Sequence, residues 1–232
     1  MSQEPSRSAN RILAALPEDE YQCLEPYLNS ASLTAGTILY EASDTIKTVY
    51  FPKTALISLV SILANGATTE IGLIGGTGII GLPAILSNGY SIHRAIVQVS
   101  NSATKISASV LKQEFDRGGE LQRLLLDYTQ TRINQVAQLA VCNRHHIIEE
   151  RLARWLLIVS DLIQSNELPL TQEFLGNMLG VRRSGVTVSA GTLQQAGMIR
   201  YSRGKITIIN REELENTACE CYDLFRANIY LE

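Results

Sequence analysis

The sequence predicts an α+β chain: an N-terminal jelly-roll β-barrel, a long helix, and a C-terminal winged helix-turn-helix. Three observations carry this expectation. Between about residues 35 and 109, short β-rich pieces alternate with turns, the pattern of a sandwich or jelly roll. Between about 120 and 143, apolar residues recur at helical spacing. Between 171 and 209, two short helical patterns meet at a glycine and lead into a small hairpin pattern. The expected division is residues 1–116 for N-terminal helices and β-roll, 117–143 for the long helix, and 144–232 for the winged helix-turn-helix with a last helix.

The chain has 232 residues, 45% hydrophobic and 19% charged, the balance of a folded protein with one large or two modest domains. Its first eight residues hold no apolar stretch and no cleavage pattern, so no signal peptide is expected. The longest apolar runs, such as 55–64, are too short to span a bilayer, and a cytoplasmic protein without a membrane partner is expected.

Residues 1 to about 10 read as a loose tail, and 10–27 as one or two short helices with Pro17 at a start. Strands are expected at 37–40, 48–51, 55–63, 68–73, 95–99 and 104–107. Asn65-Gly66 is the strongest hairpin signal. Gly72, Gly75, Gly76, Gly78 and Gly81 crowd one loop, which either approaches a phosphate or turns a corner. No Lys-Ser/Thr follows, so it is no nucleoside-triphosphate loop.

On the long helix, Leu121, Leu125, Tyr128, Val136 and Leu139 lie near one stripe. That stripe either packs on its own domain or pairs with its twin in a dimer. A further amphipathic helix is expected at 147–163, with Leu152, Trp155, Leu156 and Val159 as its core, before a break at 166–169. A last helix is expected at about 212–229.

The four cysteines, Cys23, Cys142, Cys219 and Cys221, show no metal-quartet spacing, and Cys219-Glu220-Cys221 alone is a weak ligand pair. His93, His145 and His146 lack a Glu-x-x-His context. The expectation is no metal and no cofactor. No Ser/His/Asp, Cys/His or paired-carboxylate arrangement stands out, so an enzyme is not expected.

The segment 171–209 carries the functional reading. Thr171 suits a helix start, Leu175, Met178 and Leu179 give an apolar face, and Gly180 allows a sharp turn. Val186, Ala190 and Leu193 then form the packing stripe of a second helix. Its other face carries Arg183, Ser184, Thr187 and Val188, with Arg182 just before it, where a recognition helix meets base edges. Arg200, Arg203 and Lys205 flank the expected wing. From 168 to 211 there are six basic residues and one acidic one, so the segment is net +5 while the chain is net −3. A basic face on an acidic body points to double-stranded DNA.

With these elements in this order, the chain resembles the Crp/Fnr family of bacterial transcription regulators from about residue 33 to 209. The most specific match is Thr171-x4-Gly176-x3-Gly180-x2-Arg183-x2-Val186, with Leu193 through Ile199. The resemblance implies a cyclic-nucleotide-binding-like sensor barrel, a homodimer joined along the long helix, and a palindromic operator. It implies RNA polymerase as a partner if the protein activates. Arg183 matches the family's guanine-reading arginine. Ser184 stands where many members have glutamate, and Val188 where several have arginine. In cyclic-nucleotide-binding members a Gly-Glu pair and an Arg-Ser/Thr-Ala element hold ribose and phosphate. Here the matching stretch gives Gly78, Ile79 and Gly81, then Arg94 and Ala95. Isoleucine cannot accept a hydroxyl hydrogen bond, so cyclic AMP is not the expected effector. The remaining reading is a small-molecule or cyclic-nucleotide module with a vestigial DNA-binding surface.

Overall fold

The computed structural model describes residues 7–170, 172–202 and 204–230, and Thr171 and Arg203 lie outside them. The chain forms two compact units: Met1–Ser61 with Gly72–Arg132, and Ile62–Ile71 with Ile133–Glu232. The segment 117–143 is thus divided between them.

In the first unit, two short helices, α1 (Arg11–Ala15) and α2 (Glu18–Leu24), precede the strands. Asn10 caps α1, its side-chain oxygen accepting from the Ile12 and Leu13 amides. Its side-chain nitrogen donates to the carbonyls of Pro52 and Gly78, at 2.9 Å each. A buried asparagine with its partners satisfied fixes the helix against the strands.

The six expected strands form, with slightly different ends, as β2 to β7 below. An additional strand, β1 (Asn29–Leu33), was not legible because only Leu33 in it is buried, so it has no apolar alternation. The others are β2 (Ile38–Tyr40), β3 (Thr48–Pro52), β4 (Leu56–Ile62), β5 (Thr68–Ile74), β6 (Arg94–Val99) and β7 (Asn101–Ser107). They make two sheets, ordered β1-β7-β3 and β2-β6-β4-β5. Gly66 turns the loop between β4 and β5 with φ +82°, as the Asn-Gly signal predicts.

One core cluster gathers Leu33, Tyr40, Ile57, Ile80 and Val97. Another gathers Leu13, Phe51, Ile79, Ile106, Leu111 and Leu125. The short α3 (Pro83–Leu86) and then α4 (Ala108–Asp116) follow their neighbouring strands. The long helix, α5, runs Glu120–His145. Its start is capped from a distance: the Glu20 carboxylate accepts from the Glu120 and Leu121 amides at 2.7 and 2.8 Å. An acidic group there satisfies free amides and suits the positive helix end.

The stripe expected at a dimer interface needs correction. Leu121 and Leu125 are buried within their own unit, and Tyr128 packs against the same cluster. Leu121 and Leu125 are core residues, already covered by their own unit. Leu139 is half-buried, while Val136 is exposed. A second apolar stripe, about 100° round the helix, is the one left exposed: Leu126, Ile133, Val136 and Ala140. Only the first stripe is read from the sequence, and periodicity alone cannot say which face of the helix turns inward.

The second unit adds α6 (Ile148–Ile163), β8 (Glu167–Leu168), α7 (Gln172–Leu179), α8 (Arg183–Gln195), β9 (Ile199–Ser202), β10 (Lys205–Ile208), α9 (Arg211–Thr217) and α10 (Cys221–Tyr230). The break expected at 166–169 instead includes β8, which pairs with β10 in a sheet ordered β8-β10-β9. Leu152, Trp155, Leu156 and Val159 are buried on α6, as expected. Trp155 Nε1 donates to Glu70 at 2.9 Å within this unit. The single helix expected at 212–229 is two helices, because Ala218 is extended, with ψ 147°. Among the described residues no helix is long and apolar enough to cross a membrane.

Candidate nucleic-acid interface

The turn between α7 and α8 is set by two glycines. Gly180 has φ +65°, and its amide donates to the Asn177 carbonyl while that of Val181 donates to the Gly176 carbonyl. This is a Schellman ending, which closes the last carbonyls of α7. At Gly176 a Cβ would meet the Val181 carbonyl oxygen at 3.1 Å and Arg183 Cα at 3.5 Å. The absent side chain lets α7 lie close to the start of α8 and so locates Arg183.

The phase of α8 is as the sequence predicts. Val186, Ala190 and Leu193 are buried. Arg183, Ser184, Thr187 and Val188 are exposed, Val188 at 70%. Arg182 is the residue preceding the first turn, exposed, and makes no side-chain cap. The helix has no acidic residue, and its free N-terminal amides add positive potential beside the two arginines. Thr187 Oγ1 donates to the Arg183 carbonyl at 3.0 Å.

Sequence reasoning missed two features. Thr192 is exposed one turn beyond Val188 on the same helix. Gln194 Oε1 accepts from the Tyr201 amide at 2.7 Å and so ties α8 to the first wing strand. No sequence pattern marks that long-range bond.

The basic face is smaller than the sequence count. Arg211 is not on it: its guanidinium donates to Asp161, Glu215 and Tyr222 at 2.6, 2.8 and 2.7 Å. Burial works against its charge, but the hydrogen bond and charge of Asp161 raise its pKa above the ordinary value. Arg211 is a structural cation that holds α9 to α6. Arg200 is exposed, and Lys205 Nζ pairs with the Glu167 carboxylate at 2.5 Å. Both partners of that pair are largely solvated, so it is weak and can be given up to a phosphate. Arg200→Ala should weaken binding to all DNA sequences alike and lower the salt slope by about 1. Lys205→Ala should do less, since Glu167 competes for the ammonium. Fluorescence anisotropy over a salt series checks this, and an unchanged slope removes Arg200 from the contact set.

In the β-roll, two proposed effector contacts need correction. Ile79 and Ala95 are buried in the two core clusters, at 1% and 0% exposure, so their side chains face packed core. Gly78 lies against Tyr128, whose hydroxyl would be 2.4 Å from a Cβ there, and Gly81 turns with φ +104°. Arg94 donates two hydrogen bonds to the Glu41 carboxylate, at 2.8 and 2.9 Å. The arginine matched to the family's phosphate ligand already holds an anion of its own chain.

Comparison with known proteins agrees with this geometry. Residues 150–217 match the family model of the Crp-like helix-turn-helix domain. No curated protein gives a significant match. Among solved structures, a Crp/Fnr-family transcriptional regulator from Eubacterium rectale aligns at TM-score 0.70 and 19% identity, over 90% of this chain and 98% of that one. FixK2 from Bradyrhizobium japonicum aligns at TM-score 0.70 and 18% identity, over 83% and 98%. A Crp/Fnr-family transcriptional regulator from Thermus thermophilus aligns at 0.68 and 20%, over 82% and 98%. At these identities the solved structures speak to the fold, and the domain match to the helix-turn-helix. Together with the exposed arginine-led face of α8, they show that the chain carries a Crp-like helix-turn-helix domain at residues 150–217 and has the Crp/Fnr fold.

Proposed function

We propose that this chain is a DNA-binding transcription regulator that acts in the cytoplasm as a homodimer and reads a palindromic operator with its paired α8 helices. The observation that carries the reading is the two-faced α8: Val186, Ala190 and Leu193 buried, and Arg183, Ser184, Thr187 and Val188 presented with no acid among them. Dimerisation uses the exposed stripe of α5, where Leu126, Ile133 and Ala140 recur every seven residues and Val136 stands at the intervening core position. That is the spacing of a two-helix coiled coil. RNA polymerase is a further partner if the protein activates.

The signal enters through the β-roll, and it is not cyclic AMP. Ile79 offers no acceptor for a ribose hydroxyl, and Arg94 is committed to Glu41. Calorimetry with cyclic AMP should give no binding at micromolar concentrations. A micromolar or tighter dissociation constant would show that Arg94 leaves Glu41 for phosphate.

The whole reading is tested by titrating the purified protein into genomic DNA fragments across a salt series. The expected result is binding whose logarithm falls linearly with that of salt, as several phosphate contacts require. Absence of binding at low salt would make the α8 surface vestigial.

A further inference from the structure

The sequence spacing hides a convergence that the fold creates. Cys142 lies on the last turns of α5, and His146 follows just past its end. Cys219 sits in the turn between α9 and α10, and Cys221 opens α10. Sequence spacing, which shows no metal quartet, therefore does not describe how these residues meet. One ligand atom from each of Cys142, His146, Cys219 and Cys221 lies within 4.8 Å of all the others. We propose that these four residues hold a single zinc ion, as a closed structural site of three thiolates and one imidazole.

Distances fit one tetrahedral ion. Zinc about 2.3 Å from sulfur and about 2.0 Å from nitrogen sets neighbouring ligand atoms roughly 3.5–3.8 Å apart. Cys142 Sγ is 3.6 Å from Cys219 Sγ, and Cys221 Sγ is 3.6 Å from His146 Nδ1. A disulfide would bring two sulfurs to about 2.05 Å, which is not the arrangement here. All three cysteines are buried, so the protein alone fills the coordination sphere, as a structural site requires.

The surroundings are those of a metal site. His146 turns Nδ1 toward the thiols, while Nε2 meets the Glu220 carboxylate at 3.0 Å. That carboxylate–histidine pairing fixes the ring and its tautomer for a ligand role. Gln138 Nε2 donates to Cys221 Sγ at 3.1 Å, a bond that favours a thiolate. Charge points the same way. Zinc with three thiolates carries one net negative charge, the thiol protons passing to solvent on loading. Arg151 and Arg154 are buried at 7% and 3% exposure; Arg151 donates to the Leu179 carbonyl and Arg154 lies over the Phe225 ring, but among the described residues neither has a carboxylate partner. Each has a buried Nε without a hydrogen-bond partner. Buried cations need an anion, and a zinc–thiolate centre in the same unit would supply one. The ion would staple the helix pair α9–α10 to the end of α5 within the second unit.

The test is metal analysis of the full chain purified without chelator. One zinc per chain is expected, with Cys23 reacting at once with a thiol reagent and the other three thiols only after a chelator. Cobalt replacement should give thiolate-to-metal charge transfer and the intense d–d bands of a tetrahedral ion. Cys219→Ser and His146→Ala should lose the metal, and Cys23→Ser should keep it. If those variants fold poorly, the native chain still decides: chelation should lower its melting temperature, and zinc should restore it. A zinc-free chain with freely reactive thiols and a melting temperature indifferent to zinc overturns the proposal. So does iron with acid-labile sulfide, or a Cys142–Cys219 disulfide in peptide mapping.

Discussion

Arg183→Ala should cost about 1–3 kcal/mol on the preferred operator and relax base preference at one position in each half-site. The reason is geometric. Burial of Val186, Ala190 and Leu193 fixes the rotation of α8, and that rotation leaves Arg183 exposed at its first turn. A guanidinium has two parallel donors that match guanine O6 and N7 together, which no other side chain reproduces. Arg182 stands one residue earlier, outside the helix proper and about 100° away. It suits phosphate, so Arg182→Ala should weaken all sequences alike. A mutant-by-sequence binding matrix separates the two roles. If Arg182→Ala shifts the preferred base and Arg183→Ala acts uniformly, the roles are reversed.

Leu125→Asp should unfold the first unit, whereas Ile133→Glu should leave it folded and yield monomers. The two residues sit on one helix and differ in what covers them. Leu125 is fully buried among Leu13, Phe51 and Leu111, where an unpaired carboxylate costs several kcal/mol. Ile133 is 57% exposed in the single chain, so a charge there is solvated until a second chain covers it. Thermal melts and sedimentation read the two outcomes. A folded Leu125→Asp monomer would restore the inward stripe to the interface, and a dimeric Ile133→Glu would remove the outward one.

The parts of the fold legible in the sequence were those whose burial follows a local period. The strands β2 to β7, the long α5 and the rotation of α8 all announce themselves in that way. Strand β1 did not, because Asn29 to Ser32 are polar or small and owe their pairing to β7. Charge counting includes Arg211 in the basic segment, yet Asp161 and Tyr222, some fifty residues before and eleven after it, draw it into the body. The two apolar stripes of α5 have the same helical spacing, and the helices and strands packed on Leu121 and Leu125 decide between them. The thiol cluster was least legible of all. Cys142 and His146 are one helical turn apart, but Cys219 and Cys221 reach them only because the last helix breaks after Thr217.

The central claim is that α8 reads DNA sequence as one of a symmetric pair. Selection of binding sites from a random double-stranded library, read out by sequencing, tests it most directly. The expected result is an inverted repeat whose half-site centres lie about 34 Å apart, one helical turn, with a guanine in each half that Arg183→Ala ceases to select. Recovery of no enriched sequence, or of one unpaired half-site that Arg183→Ala leaves unchanged, would contradict the account.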